Sequence, residues 1–199
     1  LIERLRRSRR LDDLVIATSD RAENAPLAEL CERLACRVYR GSEEDVLGRM
    51  VAAAGDADIV VRLTGDNPFV DGLLVDDLID FFEAGAPLDY AANIEDSGYP
   101  YGLYAEVVGM DALHLAMQSD DPMDREHVTW FLRRHPEQFH RATMKADADL
   151  SAVSLTVDTE DDYRRLAPVF AEHFARNEAF TYRDVMAALT RATDSKRSQ

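Results

Sequence analysis

Asp66 and Asp158 are the residues best placed to do chemistry. Each stands just beyond a run of apolar and β-branched residues. Asp58-Ile59-Val60-Val61-Arg62-Leu63 runs into Thr64-Gly65-Asp66-Asn67-Pro68, and Leu155-Thr156-Val157 runs into Asp158-Thr159-Glu160-Asp161. Ligands of open parallel sheets bind beyond the carboxyl ends of the strands, so both carboxylates are expected on one side of one sheet. Hard oxygen donors of this kind suit Mg2+, which takes one or two carboxylates and completes its shell with phosphate oxygens and water. A bridging cation is also how an acidic chain holds polyphosphate most easily. The same residues also read, more commonly, as a plain turn at Asp66-Asn67-Pro68 and a helix cap at Asp158. A second cluster, Asp124-Arg125-Glu126-His127, places Asp124 and His127 three apart on one helical face. It reads either as an acid/base pair or as a first-turn carboxylate beside an internally satisfied His. His114, His135, His140 and His173 lack ligand spacing, and Met50, Met110, Met117 and Met123 read as packing residues.

Strand-end chemistry requires strands, and their pattern is legible. Strand patterns at 14–17, 37–40 and 58–63 alternate with helical spacing at Leu27, Leu30, Cys31 and Leu34 and with a helix opening after Ser42-Glu43-Glu44-Asp45, where carboxylates follow N-cap chemistry. Another helix after Asp71 carries Leu74, Leu78, Ile79 and Phe82 inward. Alternation through the first 85 residues is the signature of βαβ units and a mostly parallel sheet. Short strands around a Gly-, Pro- and Tyr-rich loop are expected over 89–109. Helices follow near 111–118 and 123–134, the second stopped at His135-Pro136. Strands near 141–145 and 154–157 come next, then a helix from Glu160 with Tyr163, Leu166, Phe170 and Phe174 inward. Thr181 and Asp184 resemble a capping box for the last helix. One domain over 1–192 with a polar tail over 193–199 is expected, without repeats or linkers.

Charge narrows the ligand class. The 199 residues carry 38 acidic and 23 basic side chains, a formal net charge of −15, which argues against nucleic-acid binding because that affinity comes from Lys and Arg neutralising phosphates. Five basic residues fall in the first ten, where Leu1, Ile2 and Leu5 share a face; the Arg residues read as a solvated helix face rather than a nucleic-acid arm. Cys31 and Cys36 have neither metal-site nor redox spacing, so a reduced, cytoplasmic compartment is expected. No apolar run approaches the roughly 18–20 residues that span a bilayer, so no membrane partner is expected.

Four segments occur in one order: Gly41-Ser42-Glu43-Glu44-Asp45-Val46-Leu47-Gly48-Arg49, Val60-Val61-Arg62-Leu63-Thr64-Gly65-Asp66-Asn67-Pro68, Asp124-Arg125-Glu126-His127-Val128-Thr129 and Leu155-Thr156-Val157-Asp158-Thr159-Glu160-Asp161. Together they resemble the cytidylyltransferase family of spore coat polysaccharide biosynthesis protein F, related to the synthetases of CMP-sialic acid and CMP-Kdo. The resemblance runs from Leu1 to about Leu189. It implies a Rossmann-like nucleotidyltransferase fold, a three-layer α/β sandwich, and Mg2+-dependent transfer of CMP from CTP to a sugar for surface polysaccharide. Carried over by position, Asp66 and Asp158 are the metal-binding and catalytic carboxylates. Thr18, Ser42, Asp45 and Thr64 lie by the nucleotide, and Tyr101, Glu106, Arg125, Glu126 and His127 by the sugar. A homodimer through about 89–130 is implied by the same resemblance.

The pattern is broken in two places. The family usually opens with a strand and a triphosphate loop of the type A-R-x-G-S-x-R-L-P-x-K, whereas Leu1 falls where the following helix should be under way, so a truncated chain is expected. The family commonly reads Y-P-D-G-L-D-V-E where this chain has Tyr99-Pro100-Tyr101-Gly102-Leu103-Tyr104-Ala105-Glu106. Two phenols for two acids imply an altered acceptor, or a non-catalytic homologue serving as a binding or assembly module. A related glycosyltransferase ranks third, because its D-x-D spelling, Asp56-Ala57-Asp58, precedes the strand rather than following it.

Overall fold

The computed structural model describes residues 1–84 and 87–197, with side chains as far as Arg191. Helix α1 (Ile2–Leu5) leads to strand β1 (Val15–Ser19), helix α2 (Ala25–Arg33), strand β2 (Arg37–Gly41) and helix α3 (Val46–Ala54). Strand β3 (Ile59–Arg62), helix α4 (Gly72–Ala84), strand β4 (Tyr90–Ala92) and strand β5 (Glu106–Gly109) follow. Helices α5 (Met110–Ala116), α6 (Pro122–Glu126) and α7 (Trp130–Arg134), strand β6 (Arg141–Thr143), and helices α8 (Glu160–Arg176) and α9 (Tyr182–Arg197) complete the chain. β1 and β2 pair in parallel as one ribbon, and a second sheet has the order β3-β5-β4-β6. Only β5 runs against its neighbours; β3, β4 and β6 share one direction. The fold is thus the mostly parallel α/β arrangement the sequence implies.

Alternation along these strands divides the interior into two apolar layers. Val61, Ala91 and Val107 face one cluster with Leu74, Leu78 and Phe82 of α4 and Leu166 of α8. Val60, Tyr90, Ala92 and Val108 face the other, with Leu113, Leu132 and Phe139. The sheet therefore lies between two helical layers, and its carboxyl-end loops are free to build a site.

Several expectations are corrected. The helix foreseen over 123–134 is two short helices, broken at His127-Val128-Thr129 with Val128 at φ +52°. No Gly or Pro marks the break; the Thr129 hydroxyl donates to the buried Glu106 carboxylate at 2.6 Å, which a continuous helix does not allow. The strand foreseen over 154–157 makes only an isolated bridge, Tyr101 to Ser154, because its backbone bonds two different loops rather than one strand. Tyr163 and Phe174 are exposed, since only Leu166, Val169 and Phe170 meet the core and the other two lie about a quarter turn round the helix. Leu27, Leu30 and Met123 are likewise exposed. The two leucines sit on a helix packed over the narrow β1–β2 ribbon. Met123 lies in the first turn of α6, whose buried residue is Asp124. Arg4, assigned to a solvated face, is 5% exposed. The last helix continues through the polar residues after Thr193 to Arg197, while Ser198 and Gln199 lie outside the described residues.

α8 is capped by Thr159 rather than Asp158. The Asp162 backbone N–H donates to the Thr159 hydroxyl oxygen at 3.2 Å, and the Thr159 N–H donates back to Asp162 at 3.0 Å, a complete capping box. Arg165 and the Thr159 hydroxyl hold the Asp162 carboxyl down to about 2. A depressed folded-state pKa stabilises fully above the ordinary carboxylate range and is lost as pH falls toward the folded value. The melting-temperature gap between the wild type and Asp162→Asn is therefore expected to be widest at pH 5 and to close toward pH 2.

Candidate functional site

The Asp66 and Asp158 loops are joined through the backbone. Val157 N–H donates to Asp66 C=O at 2.9 Å. The Thr156 hydroxyl lies 3.5 Å from the same carbonyl and 3.3 Å from Asp158 Oδ1. On the Asp66 side, the Thr64 hydroxyl donates to the carboxylate, and Asn67 Nδ2 donates to the Thr64 hydroxyl oxygen at 2.8 Å. Asn67 is buried, so this relay fixes the orientation of Asp66. Neither Asp66 nor Asp158 has a salt-bridge partner among the described residues. That contrasts with the other acids around them.

Asp66 opens onto a cavity of about 200 Å³, which Arg62, Thr64, Asn67, Tyr101, Tyr104 and Glu106 also line. Tyr101 is half exposed and meets Tyr104 edge to face, ring centroids 5.6 Å apart. Burial raises the Tyr104 hydroxyl pKa, with a smaller push from Tyr101. Glu106 is 2% exposed at the edge of this cavity, and Arg62, Tyr90 and Thr129 donate to its carboxylate.

Gly102 sets the distance between the tyrosine wall and the carboxylate loop. Its φ is +86°, and a Cβ there would lie 2.3 Å from the Thr156 backbone nitrogen. Gly102→Ala is expected to cost about 1–3 kcal/mol in backbone strain, with the clash added to it. A variant melting within about 1 °C of wild type would contradict this close approach.

The remaining residues singled out in the sequence fall outside this cavity. Thr18 is buried at the end of β1, and Ser42 is exposed beyond β2, where its hydroxyl oxygen accepts from Asp45 N–H at 3.0 Å. Asp45 and Arg125, assigned to nucleotide and sugar respectively, pair with each other at 2.7 Å. Asp45 also caps α3 by accepting from Gly48 N–H, and Arg125 Nη1 donates to Met117 C=O at 3.0 Å, so the pair ties α3 to α6. Asp124 is fully buried and held by Arg134 and Ser119, while His127 and Glu126 are exposed. Asp124 is thus the structural first-turn carboxylate of the alternative reading, whereas His127 is exposed and not the internally satisfied His that reading expected.

Sequence reasoning missed Arg62, Tyr90 and Thr129, which converge on Glu106. The one available signal was a charged residue, Arg62, inside an otherwise apolar strand. A slightly larger cavity, about 240 Å³, lies at Leu14, Cys36 and Arg37, against the amino ends of β1 and β2. Ligands of such sheets gather at the opposite ends, and the strand-end carboxylates are not there. No cluster of three or more His, Cys, Asp or Glu among the described residues could enclose a metal alone. A cation at Asp66 and Asp158 would draw further ligands from its substrate, as Mg2+ commonly does. No described helix is long and apolar enough to cross a membrane.

Comparison with known proteins is consistent with this geometry. A family model described as cytidylyltransferase matches residues 1–180. The Bacillus subtilis spore coat polysaccharide biosynthesis protein SpsF is 36% identical over 181 residues, 85% of this chain and 73% of that protein. An uncharacterized Methanocaldococcus jannaschii protein, MJ1063, is 34% identical over 169 residues, 82% of this chain and 68% of that one. The structure of a cytidylyltransferase from Leptospira borgpetersenii superposes with TM-score 0.87 at 25% identity, covering 97% of this chain and 82% of that chain. A CMP:2-keto-3-deoxy-manno-octonic acid synthetase complexed with CTP shares the fold, with TM-score 0.63 at 17% identity over 85% of each chain.

Proposed function

The chain belongs to the cytidylyltransferase family, and from that premise we propose that it transfers CMP from CTP to a hydroxyl of a sugar used in surface polysaccharide, releasing pyrophosphate. The observation that carries this reading is the Val157 to Asp66 hydrogen bond, which joins the Asp158 loop to the Asp66 loop that lines the cavity, neither carboxylate having a salt-bridge partner among the described residues. Two neighbouring carboxylates without a protein cation fit Mg2+, and Asp66 and Asp158 are the residues that would hold it. Bound there, the ion would supply Lewis-acid stabilisation of charge developing on the transferred phosphoryl group.

The chain's own residues position the reactants. Thr64 and Asn67 hold the Asp66 carboxylate in one orientation. Thr18, Ser42 and Asp45 lie at or just beyond the carboxyl ends of the β1–β2 ribbon and are the nucleotide contacts of this reading. The exposed Tyr101 ring offers an apolar face on which a sugar ring can pack. His127 and Glu126 stand exposed at the α6–α7 break, available to the acceptor. Pyrophosphate release from CTP, assayed with a panel of acidic and neutral sugars at millimolar Mg2+, tests the reaction. Sugar-dependent release is the expected result. Failure of the folded protein to bind CTP under those conditions would overturn it.

A further inference from the structure

Arg62 and Glu106 face each other directly across β3 and β5. Both oxygens of the buried Glu106 carboxylate are engaged: Oε1 accepts from the Tyr90 hydroxyl at 2.7 Å and the Thr129 hydroxyl at 2.6 Å, and Oε2 accepts from Arg62 Nη1. Burial and the neighbouring Glu106 push the Tyr90 hydroxyl pKa far up, so it remains a donor across the working pH range. Thr129 reaches Glu106 only because the chain breaks at Val128, a β-branched residue held at φ +52°. Strain of that kind persists where the surrounding structure over-determines it. Here it completes a tripod around one carboxylate.

Three donors occupy three of the four lone-pair positions of this enclosed glutamate, and Arg62 keeps two nitrogens. Its side chain is 21% exposed, and Nε and Nη2 have no protein acceptor among the described residues. Arg62 is also the only cationic residue among those lining the cavity. A guanidinium pinned by one nitrogen presents its remaining N–H groups in a fixed plane, the geometry that grips an oxyanion.

We propose that Arg62 is the oxyanion-binding residue of this cavity and that Glu106, held by Tyr90 and Thr129, is the residue that positions it. The oxyanion is a phosphoryl group of the nucleotide or a carboxylate of the acceptor. The choice of these two sources rests on the cytidylyltransferase reading; the assignment of Arg62 rests on the geometry.

Calorimetry with paired probes tests it: CTP against cytidine, and glucuronate against glucose, on wild type, Arg62→Gln, Arg62→Lys and Thr129→Val. Arg62→Gln is expected to weaken one anionic probe by about tenfold or more while sparing its neutral counterpart. Arg62→Lys should restore part of that loss, and Thr129→Val, which keeps Arg62 and the side-chain shape, should weaken the same probe. A purely structural role would move neither the anion-to-neutral ratio nor its rescue by Lys. Loss on the CTP arm assigns a phosphoryl ligand, and loss on the glucuronate arm a carboxylate. Wild type that binds CTP, with ratios unchanged in Arg62→Gln, overturns this inference alone. Wild type that binds neither anion overturns both it and the reaction proposed above.

Discussion

Replacing Arg4 by Ala is expected to destabilise the protein by about 3–5 kcal/mol, a fall of about 6–20 °C in Tm for a chain of this size. Arg4 is almost fully buried, yet each guanidinium nitrogen has an acceptor. Nε donates to Val70 C=O at 3.1 Å, Nη1 to Phe180 C=O at 2.9 Å, and Nη2 to Phe69 C=O at 2.9 Å and Asp71 Oδ2 at 3.3 Å. The Phe180 ring lies 4.0 Å from the guanidinium carbon. One side chain thus ties α1 to the start of α4 and to the turn before α9. Removing it orphans three carbonyls and leaves the buried Asp71 carboxylate without its cation, although Leu74 and Tyr182 N–H groups still donate to it. Burial already raises the Asp71 pKa, and loss of Arg4 raises it further. An acid whose folded pKa is raised is penalised above its unfolded pKa and relieved as pH falls toward it. The deficit of Arg4→Ala should therefore be largest at neutral pH and shrink as pH falls toward 4. Arg4→Met with Asp71→Asn, which removes both charges, should recover part of the loss. An Arg4→Ala protein that melts with wild type at pH 7 would show that the latch contributes nothing.

Arg4 also shows where local pattern stops being informative. Helical spacing correctly buried Leu5, but the partners of Arg4 lie 65 to 176 residues away, beyond the reach of any periodicity. Short β-branched runs closed by polar residues did expose β1, β2 and β3, because such a run is a local feature. They also exposed the carboxylates at their ends, because polar residues following an apolar run are a local feature. The Asp66 and Asp158 loops were legible for that reason; a backbone hydrogen bond joins them, although the run before Asp158 forms no strand. The Glu106 tripod was not legible. It needs the order β3-β5-β4, a cross-strand register and a helix break that no Gly or Pro announces. The Asp45–Arg125 pair was hidden in the same way: both residues were singled out, but only the docking of α3 on α6 shows that they hold each other. At the site, what the sequence missed is the non-local pairing of charged groups.

The largest catalytic effect is expected at the paired carboxylate loops. Asp66→Asn and Asp158→Asn should each lower turnover by about a hundredfold or more, the scale seen when one group stabilising transition-state charge is removed. If the two carboxylates serve one cation, they act as a unit, so the double variant should fall little below the worse single one. Stability supplies an independent readout. Neither carboxylate has a salt-bridge partner among the described residues, so an amide in its place removes no protein ion pair, and the Tm of each variant without ligand should match or slightly exceed wild type. Saturating Mg2+ with CTP should stabilise wild type by about 2.7 kcal/mol at a hundredfold excess over Kd, and this gain should shrink in both variants. Chelation of the metal should bring wild type down to the level of the variants. Full turnover in Asp158→Asn, with undiminished Mg2+-dependent stabilisation, would leave Asp158 as a loop residue and place the cation on Asp66 alone. Additive losses in the double variant would mean that the two carboxylates act on different groups, and the Val157 to Asp66 hydrogen bond would then join two functions rather than complete one.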